Sequence, residues 1–307
     1  MQLLQIYFYL AIFTFLIGII FKTIKIARMP VHLRWELYPI PHEKGRAHYG
    51  GSYYEEPDWW KKPEKISRIG ELKEIVREIF FIRTLYHNNR GLWYFSWPFH
   101  LGLYSLATLG LLIIAGIVVQ SGGVDASSVS RKVISMLTVL SGAMGWVLGS
   151  VGALGLLLMR TLKIEYRRFS VRADYFNLLL LLAVFLSGLA AWLTVDRSFS
   201  QLREFAGTII TFRFSAELPA AVHFELIFAG LFLIYLPFSN MTHFVAKFFT
   251  FHRVRWDDKP NKAGGKIESQ VIESLSGPLS WSAKHMQSGE SWADTASGKL
   301  TTEEPGK

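Results

Sequence analysis

The chain has 307 residues, of which half are hydrophobic, 15% are aromatic and only 19% are charged. Several unbroken apolar stretches reach the roughly 20 residues that cross a bilayer, which excludes an ordinary soluble protein and makes the chain an integral membrane protein. It contains no cysteine, so disulfides, thiolate-held iron–sulfur clusters and covalently attached haem are excluded; the net charge of +9 lies mostly in Lys and Arg flanking apolar segments, a topology signal and not a nucleic-acid footprint.

The first apolar stretch runs from about Leu3 to Phe21 and is followed by Lys22, Lys25 and Arg28. It lacks the basic leader, short apolar run and small-residue cleavage site of a signal peptide, and is read as a span. Residues 29–95 follow as a long loop. Its first part, 29–60, mixes prolines, glycines and both charge signs with large aromatics such as Trp35, Tyr38, Trp59 and Trp60. With no sustained period, it reads as an irregular docking segment. Residues 64–86 instead place Ile66, Ile69, Leu72, Ile75, Val76, Ile79, Phe80 and Ile82 at helical spacing, opposite Lys65, Arg68, Lys73 and Arg77. Such an amphipathic helix suits the cytoplasmic membrane surface, its cations near anionic headgroups, or packing against the protein's own spans.

Four more spans are expected at about Trp97–Val119, Val133–Met159, Tyr175–Val195 and Ala221–Phe249. The predicted fold class is therefore an all-α five-transmembrane-helix bundle. It divides into a first helix (1–28), a cytoplasmic loop (29–95), a four-helix membrane core (96–250) and a polar tail (251–307). Basic residues crowd the connections after spans one, three and five and are sparse after two and four, which places the N-terminus outside and the C-terminus inside. In the third span Ser141, Gly145, Gly149 and Ala153 recur every four positions, a pattern of close helix packing, with approach to a porphyrin as the second reading. The Gly/Ser-rich tail cannot bury enough apolar surface to fold alone, yet Trp281 and Trp292 read as anchors for a partner.

Ionisable groups within spans are costly in hydrocarbon and mark function. The histidines and carboxylates among them are His100 in the second span and His223, Glu225 and His243 in the fifth. His100 lies roughly 5 Å past the start of its span and His243 roughly 9 Å before the end of a span running the other way, at 1.5 Å per residue. Both therefore occupy the cytoplasmic-side layer. Two such imidazoles suit the axial positions of one haem iron; the competing reading has each hydrogen-bonded to a neighbouring helix. Zinc lacks a third and fourth ligand at that depth. His223 has no matching histidine in the second span, where Leu111, Leu112, Ile113 and Ile114 stand. It is a candidate for a quinone carbonyl, a second haem or a loop cap, with Glu225 as a proton relay.

Five spans with the N-terminus outside, WPFHLGLYSLATLG at the start of the second and LPFSNMTHFVAKF at the end of the fifth resemble the cytochrome b gamma subunit of respiratory nitrate reductases. PVHLRWELYPIPHEKGRAHYGGSYYEE in the first loop and LSWSAKHMQSGESWADTA in the tail resemble its relatives in sulfate-reducing organisms, the membrane subunits of sulfite-reductase-associated, tetrahaem-cytochrome and high-molecular-weight-cytochrome complexes. The resemblance implies that His100 and His243 hold haem b near the cytoplasmic face. A second haem would use His223 and a position near Gly110, which holds no histidine. It further implies menaquinone in the bilayer, an iron–sulfur protein subunit at the cytoplasmic face, a multihaem cytochrome c at the periplasmic face, and the cytoplasmic (inner) membrane as location. The expected function is electron transfer between the menaquinone pool and iron–sulfur partners; the alternative is a haem-free anchor for soluble redox subunits. A transporter is disfavoured by the odd span count and the absence of a repeat.

Overall fold

A computed structural model of the chain describes residues 2–28, 45, 48, 55–62, 68–125, 127–213, 217–255, 263–283 and 286–297. The helices in chain order are α1 (Gln2–Ala27), α2 (Arg68–Phe81), α3 (Arg83–Asn88), α4 (Arg90–Ser121), α5 (Val129–Leu162), α6 (Ile164–Arg167), α7 (Arg172–Thr194), α8 (Ser200–Thr211), α9 (Ala220–Tyr235), α10 (His243–Arg255), α11 (Lys266–Leu275) and α12 (Trp292–Ala296). Among the described residues there is no strand, only the isolated bridges Pro278–Ser291 and Ala283–Met286. Among the described residues five helical stretches are long and apolar enough to cross a membrane: α1, α4, α5, α7 and Ala220–Phe238. The expected all-α five-span bundle is present. Two compact units make up the chain, residues 1–21 with 75–242 and residues 22–74 with 243–307.

The first unit is organised around α4 and α5. Phe95 meets Gly155, Phe99 meets Gly152, Gly102 meets Gly149 and Leu106 meets Gly145. As one number rises the other falls, so the helices are antiparallel, and the missing side chains let the backbones close to van der Waals range. A Cβ on Gly102 would stand 2.5 Å from the Gly149 nitrogen. The same stripe receives Phe185 of α7 at Gly149 and Phe199 at Gly142. The small-residue pattern of the third span is thus a packing seam filled by protein side chains, not a porphyrin wall. Phe99, Trp146, Phe185 and Phe199 belong to the buried cluster that results.

Helix α1 packs parallel to α9: Tyr7 Oη donates to the Ile227 carbonyl at 2.7 Å, and Gly18 lies against Pro237, both numbers rising together. Its N-terminal end meets α8, where Gln5 Nε2 donates to Thr208 Oγ1 and to the Arg213 carbonyl and Tyr9 Oη donates to the Ile209 carbonyl. Most of its large apolar residues, Leu3, Leu10, Phe13 and Phe21 among them, face outward.

Helix α8 occupies the fourth connection, where basic residues are sparse. The Asp196 carboxylate accepts from Ser200 Oγ, Gln201 N and Leu202 N, satisfying the open amides of its first turn. This holds Phe199 at φ 56°, left-handed backbone unusual for a bulky residue, with its ring buried. Asp196 is itself buried.

The amphipathic segment forms as α2 and α3, split at Ile82, whose φ is 47°. Glu78 is buried and its Oε2 accepts from the amide and hydroxyl of Thr84 across the break. The last carbonyls of α2 have no helical partner and are taken by one face of α4: Tyr104 Oη donates to Ile79 O, Trp97 Nε1 to Phe80 O and Trp93 Nε1 to Phe81 O. Both sequence readings have a part here. The C-terminal end is docked on a span, while Val76, Ile79 and Phe80 leave apolar surface exposed.

In the second unit the tail is more ordered than its composition implied. Leu279 N donates to Glu290 O, Gly289 N to Leu279 O and Trp292 N to Gly277 O, closing a small turn around buried Leu279 and Met286. Trp281 and Trp292 stay 50% and 43% exposed. Most of the 29–60 docking segment, including Trp35 and Tyr38, lies outside the described residues.

Candidate functional site

His100 sits near the start of α4, a helix capped by Asn89, whose Oδ1 accepts from Leu92 N and whose side chain also pairs with Tyr166 Oη. Its half-buried imidazole places Nδ1 2.7 Å from the Ser96 carbonyl oxygen and 3.4 Å from Ser96 Oγ. A carbonyl can only accept, so Nδ1 carries the proton and donates. The neutral ring then has its lone pair on Nε2, and the hydrogen bond at the other nitrogen fixes both tautomer and ring orientation, as in metal-ligating histidines. Phe99 packs edge-on to the ring, their centroids 5.3 Å apart.

The fifth span, expected from Ala221 to Phe249, is interrupted near Pro237. Helix α9 stops at Tyr235, and two 3-10 turns, Leu236–Phe238 and Asn240–Thr242, separate it from α10. Pro237 cannot donate to the preceding turn, and Ser239 and Thr242 compete for the backbone. Ser239 Oγ donates to Leu236 O and accepts from Met241 N; Thr242 Oγ1 donates to Ser239 O. The break is clamped to α7, because Asn177 Nδ2 donates to Asn240 Oδ1 at 2.7 Å and Tyr235 Oη donates to Asn177 Oδ1 at 2.8 Å. Tyr175 Oη in turn donates to the Arg160 carbonyl at the end of α5, and Arg160 pairs with Asp174 at 3.4 Å. This is the end of the bundle at which α4 begins. Thr242 is only 2% exposed, and Met241 packs against the cluster containing Phe99. His243 comes next, the first residue of α10 and of the second unit, with an exposed side chain.

His223 lies at the opposite end of the bundle, in the first turn of α9. Its Nδ1 is 3.4 Å from the Pro219 carbonyl, a contact within its own turn. Glu225, two residues on, is 4% exposed. Gly110 faces outward with nothing within 4 Å of where a side chain would begin. The structure therefore brings no side chain of that position toward His223. Among the described residues no three of His, Cys, Asp and Glu converge on a metal-sized site.

Asn177, Asn240 and Tyr235 were not anticipated. A search for ionisable groups in spans passes over neutral amides and phenols, yet each has donors or acceptors that hydrocarbon cannot satisfy.

The nitrate reductase gamma subunit family model aligns with residues 84–256. No curated protein and no solved structure was found to match. The aligned region runs from α3 into the stretch beyond α10, takes in four of the five spans and includes both His100 and His243. Covering more than half of the chain, it places this multi-pass membrane protein in the nitrate reductase gamma subunit family, the haem b-binding membrane cytochrome of respiratory nitrate reductase.

Proposed function

We propose that the chain passes electrons between menaquinone in the cytoplasmic membrane and an iron–sulfur subunit docked at the end of the bundle where α4 begins, using haem b ligated by His100 and His243. The observation that supports the proposal is the 2.7 Å hydrogen bond from His100 Nδ1 to the Ser96 carbonyl, which fixes the orientation of the ring as in metal-ligating histidines. Haem bound there supplies a one-electron centre whose potential follows from its axial ligands and their hydrogen bonds. The chain's part is to hold the imidazoles and keep water out of the seam beside Phe99, with the Asn177–Asn240 clamp fixing the end of the fifth span against α7. Having no cysteine, the chain depends on other subunits for iron–sulfur centres.

His223 is assigned a place in quinone binding at the opposite end, with Glu225 beside it, in preference to a second bis-histidine haem, because Gly110 offers no ligand. The first loop and the tail serve as docking surfaces. Both lie largely outside residues 84–256, so the partners they select need not be those of a nitrate reductase; a multihaem cytochrome c on the periplasmic side fits the resemblance to sulfate-reducer complexes.

The test is an absorbance spectrum of the purified chain. A low-spin bis-imidazole b-type signal, lost in both His100→Ala and His243→Ala while the subunit still inserts, supports the assignment. Full signal in either variant removes that histidine from the pair. A wild-type chain without any haem signal would make it a haem-free anchor.

A further inference from the structure

At the end of the bundle opposite His100, the last turns of α4, the first turns of α5 and Arg203 of α8 line an open cavity of about 780 Å³. Arg131, Lys132 and Arg203 line it, and among the described residues no carboxylate does. Its remaining wall is mostly apolar, including Ile134, Val139 and Leu140. Arg203 sits against Gly116, where a Cβ would come within 3.1 Å of Nε. Arg203 Nε and Nη2 are buried and have no hydrogen-bond partner among the described residues. Two desolvated nitrogens on one guanidinium are costly unless a negative charge lies close.

Asp125, in the turn between α4 and α5, does not supply it. Asp125 is held below the ordinary carboxylate range first by the amide and hydroxyl of Ser127, with Arg131 the least of the causes. Arg131 spends Nη1 on the Val124 carbonyl at 3.1 Å, and Lys132 is exposed at the rim.

The shape decides what kind of anion belongs here. The basic residues stand where α5 enters the bilayer, and the apolar wall continues along it to Ala143. Those 12 residues rise roughly 18 Å at 1.5 Å each, close to the ~15 Å half-thickness of a hydrocarbon core. A small inorganic anion would leave that wall unused. A neutral ring compound would leave three cations without a counter-charge. We propose that this cavity is a binding site for one anionic phospholipid, its phosphodiester held by Arg203 with Arg131 and Lys132 and its acyl chain laid along Ile134, Val139 and Leu140. Arg geometry favours paired hydrogen bonds to phosphate oxygens. The proposal rests on α4, α5 and α8 alone and is independent of the haem ligands.

The experiment is native mass spectrometry of the full chain, delipidated in detergent and titrated with phosphatidylglycerol or phosphatidylcholine. Wild type is expected to retain one phosphatidylglycerol at least about five-fold more strongly than phosphatidylcholine. Lys132→Gln should weaken that binding about five-fold, the effect of one basic residue near a headgroup, and Arg203→Gln by more. Lys132 is on the surface, so its variant reports even if Arg203→Gln fails to fold. Equal binding of the two lipids, undiminished binding in Lys132→Gln, displacement by millimolar inorganic phosphate, or displacement by menadione would each overturn the assignment.

Discussion

Gly102 of α4 and Gly149 of α5 meet backbone to backbone, so close that a Cβ on Gly102 would lie 2.5 Å from the Gly149 nitrogen. A backbone atom in a buried seam cannot swing aside as a side chain can. Gly102→Ala is therefore expected to separate the two helices and lower stability by about 1–3 kcal/mol, the range for overpacking. Gly110→Ala, eight residues further along the same helix with nothing within 4 Å, should be neutral or slightly stabilising. Thermal unfolding of both variants in detergent, followed by circular dichroism, checks the contrast. Equal midpoints would mean that the seam is loose.

Tyr104 donates to the Ile79 carbonyl at the end of α2. Tyr104→Phe keeps the ring and removes that donor. The expected loss is about 1 kcal/mol, or roughly five-fold faster amide hydrogen exchange over residues 75–81, with little change inside α5. Combining it with Trp93→Phe and Trp97→Phe should accelerate exchange further. Unchanged exchange in the triple variant would show that the bilayer, not α4, holds this helix.

Asp196 uses both carboxylate oxygens, Oδ1 toward Ser200 and Gln201 and Oδ2 toward Leu202. Asn has one acceptor oxygen and must present an amine to the other position. Asp196→Asn is expected to cost about 1–3 kcal/mol, loosening α8 and the left-handed turn at Phe199. Limited proteolysis between residues 196 and 213 provides the readout, with cleavage faster in the variant. Wild-type protection would place the cap's contribution elsewhere.

Removing residues 262–307 deletes α11, α12 and the turn around Leu279 and Met286 but leaves every span intact. Haem content should be unchanged, while a cytoplasmic iron–sulfur partner should be lost or weakened in detergent pull-downs, since exposed Trp281 and Trp292 go with the deletion. Full partner stoichiometry in the truncated protein would shift docking to the first loop alone.

The spans were legible because hydrocarbon imposes a length and a composition that no loop imitates. His100 and His243 stood out for a related reason: a titratable ring in such a segment is conspicuous. The break between Tyr235 and His243 was harder to see. Pro237 is a visible stop signal, but the apolar residues after it, Phe238, Phe244, Val245, Phe248 and Phe249, extend the hydropathy past the helix that actually ends. Helix α8 was overlooked because mixed charges in a short connection read as solvated loop, although Leu202, Phe205, Ala206 and Ile209 keep helical spacing. The tail turn escaped composition altogether, since it closes on only two buried side chains.

Helix α1 is made long before the elements that hold it. Its polar clasps lie far along the chain: Gln5 and Thr208 are 203 positions apart, and Tyr7 and Ile227 are 220. At ~5–20 residues per second, its partners leave the ribosome about 10 to 40 s after it does. During that interval α1 has only lipid for company, and its outward rows of Leu, Ile and Phe make the wait harmless. The order of synthesis thus sets an order of assembly, in which α4, α5 and α7 close their glycine seam first and the opening helix is captured only when α8 and α9 arrive.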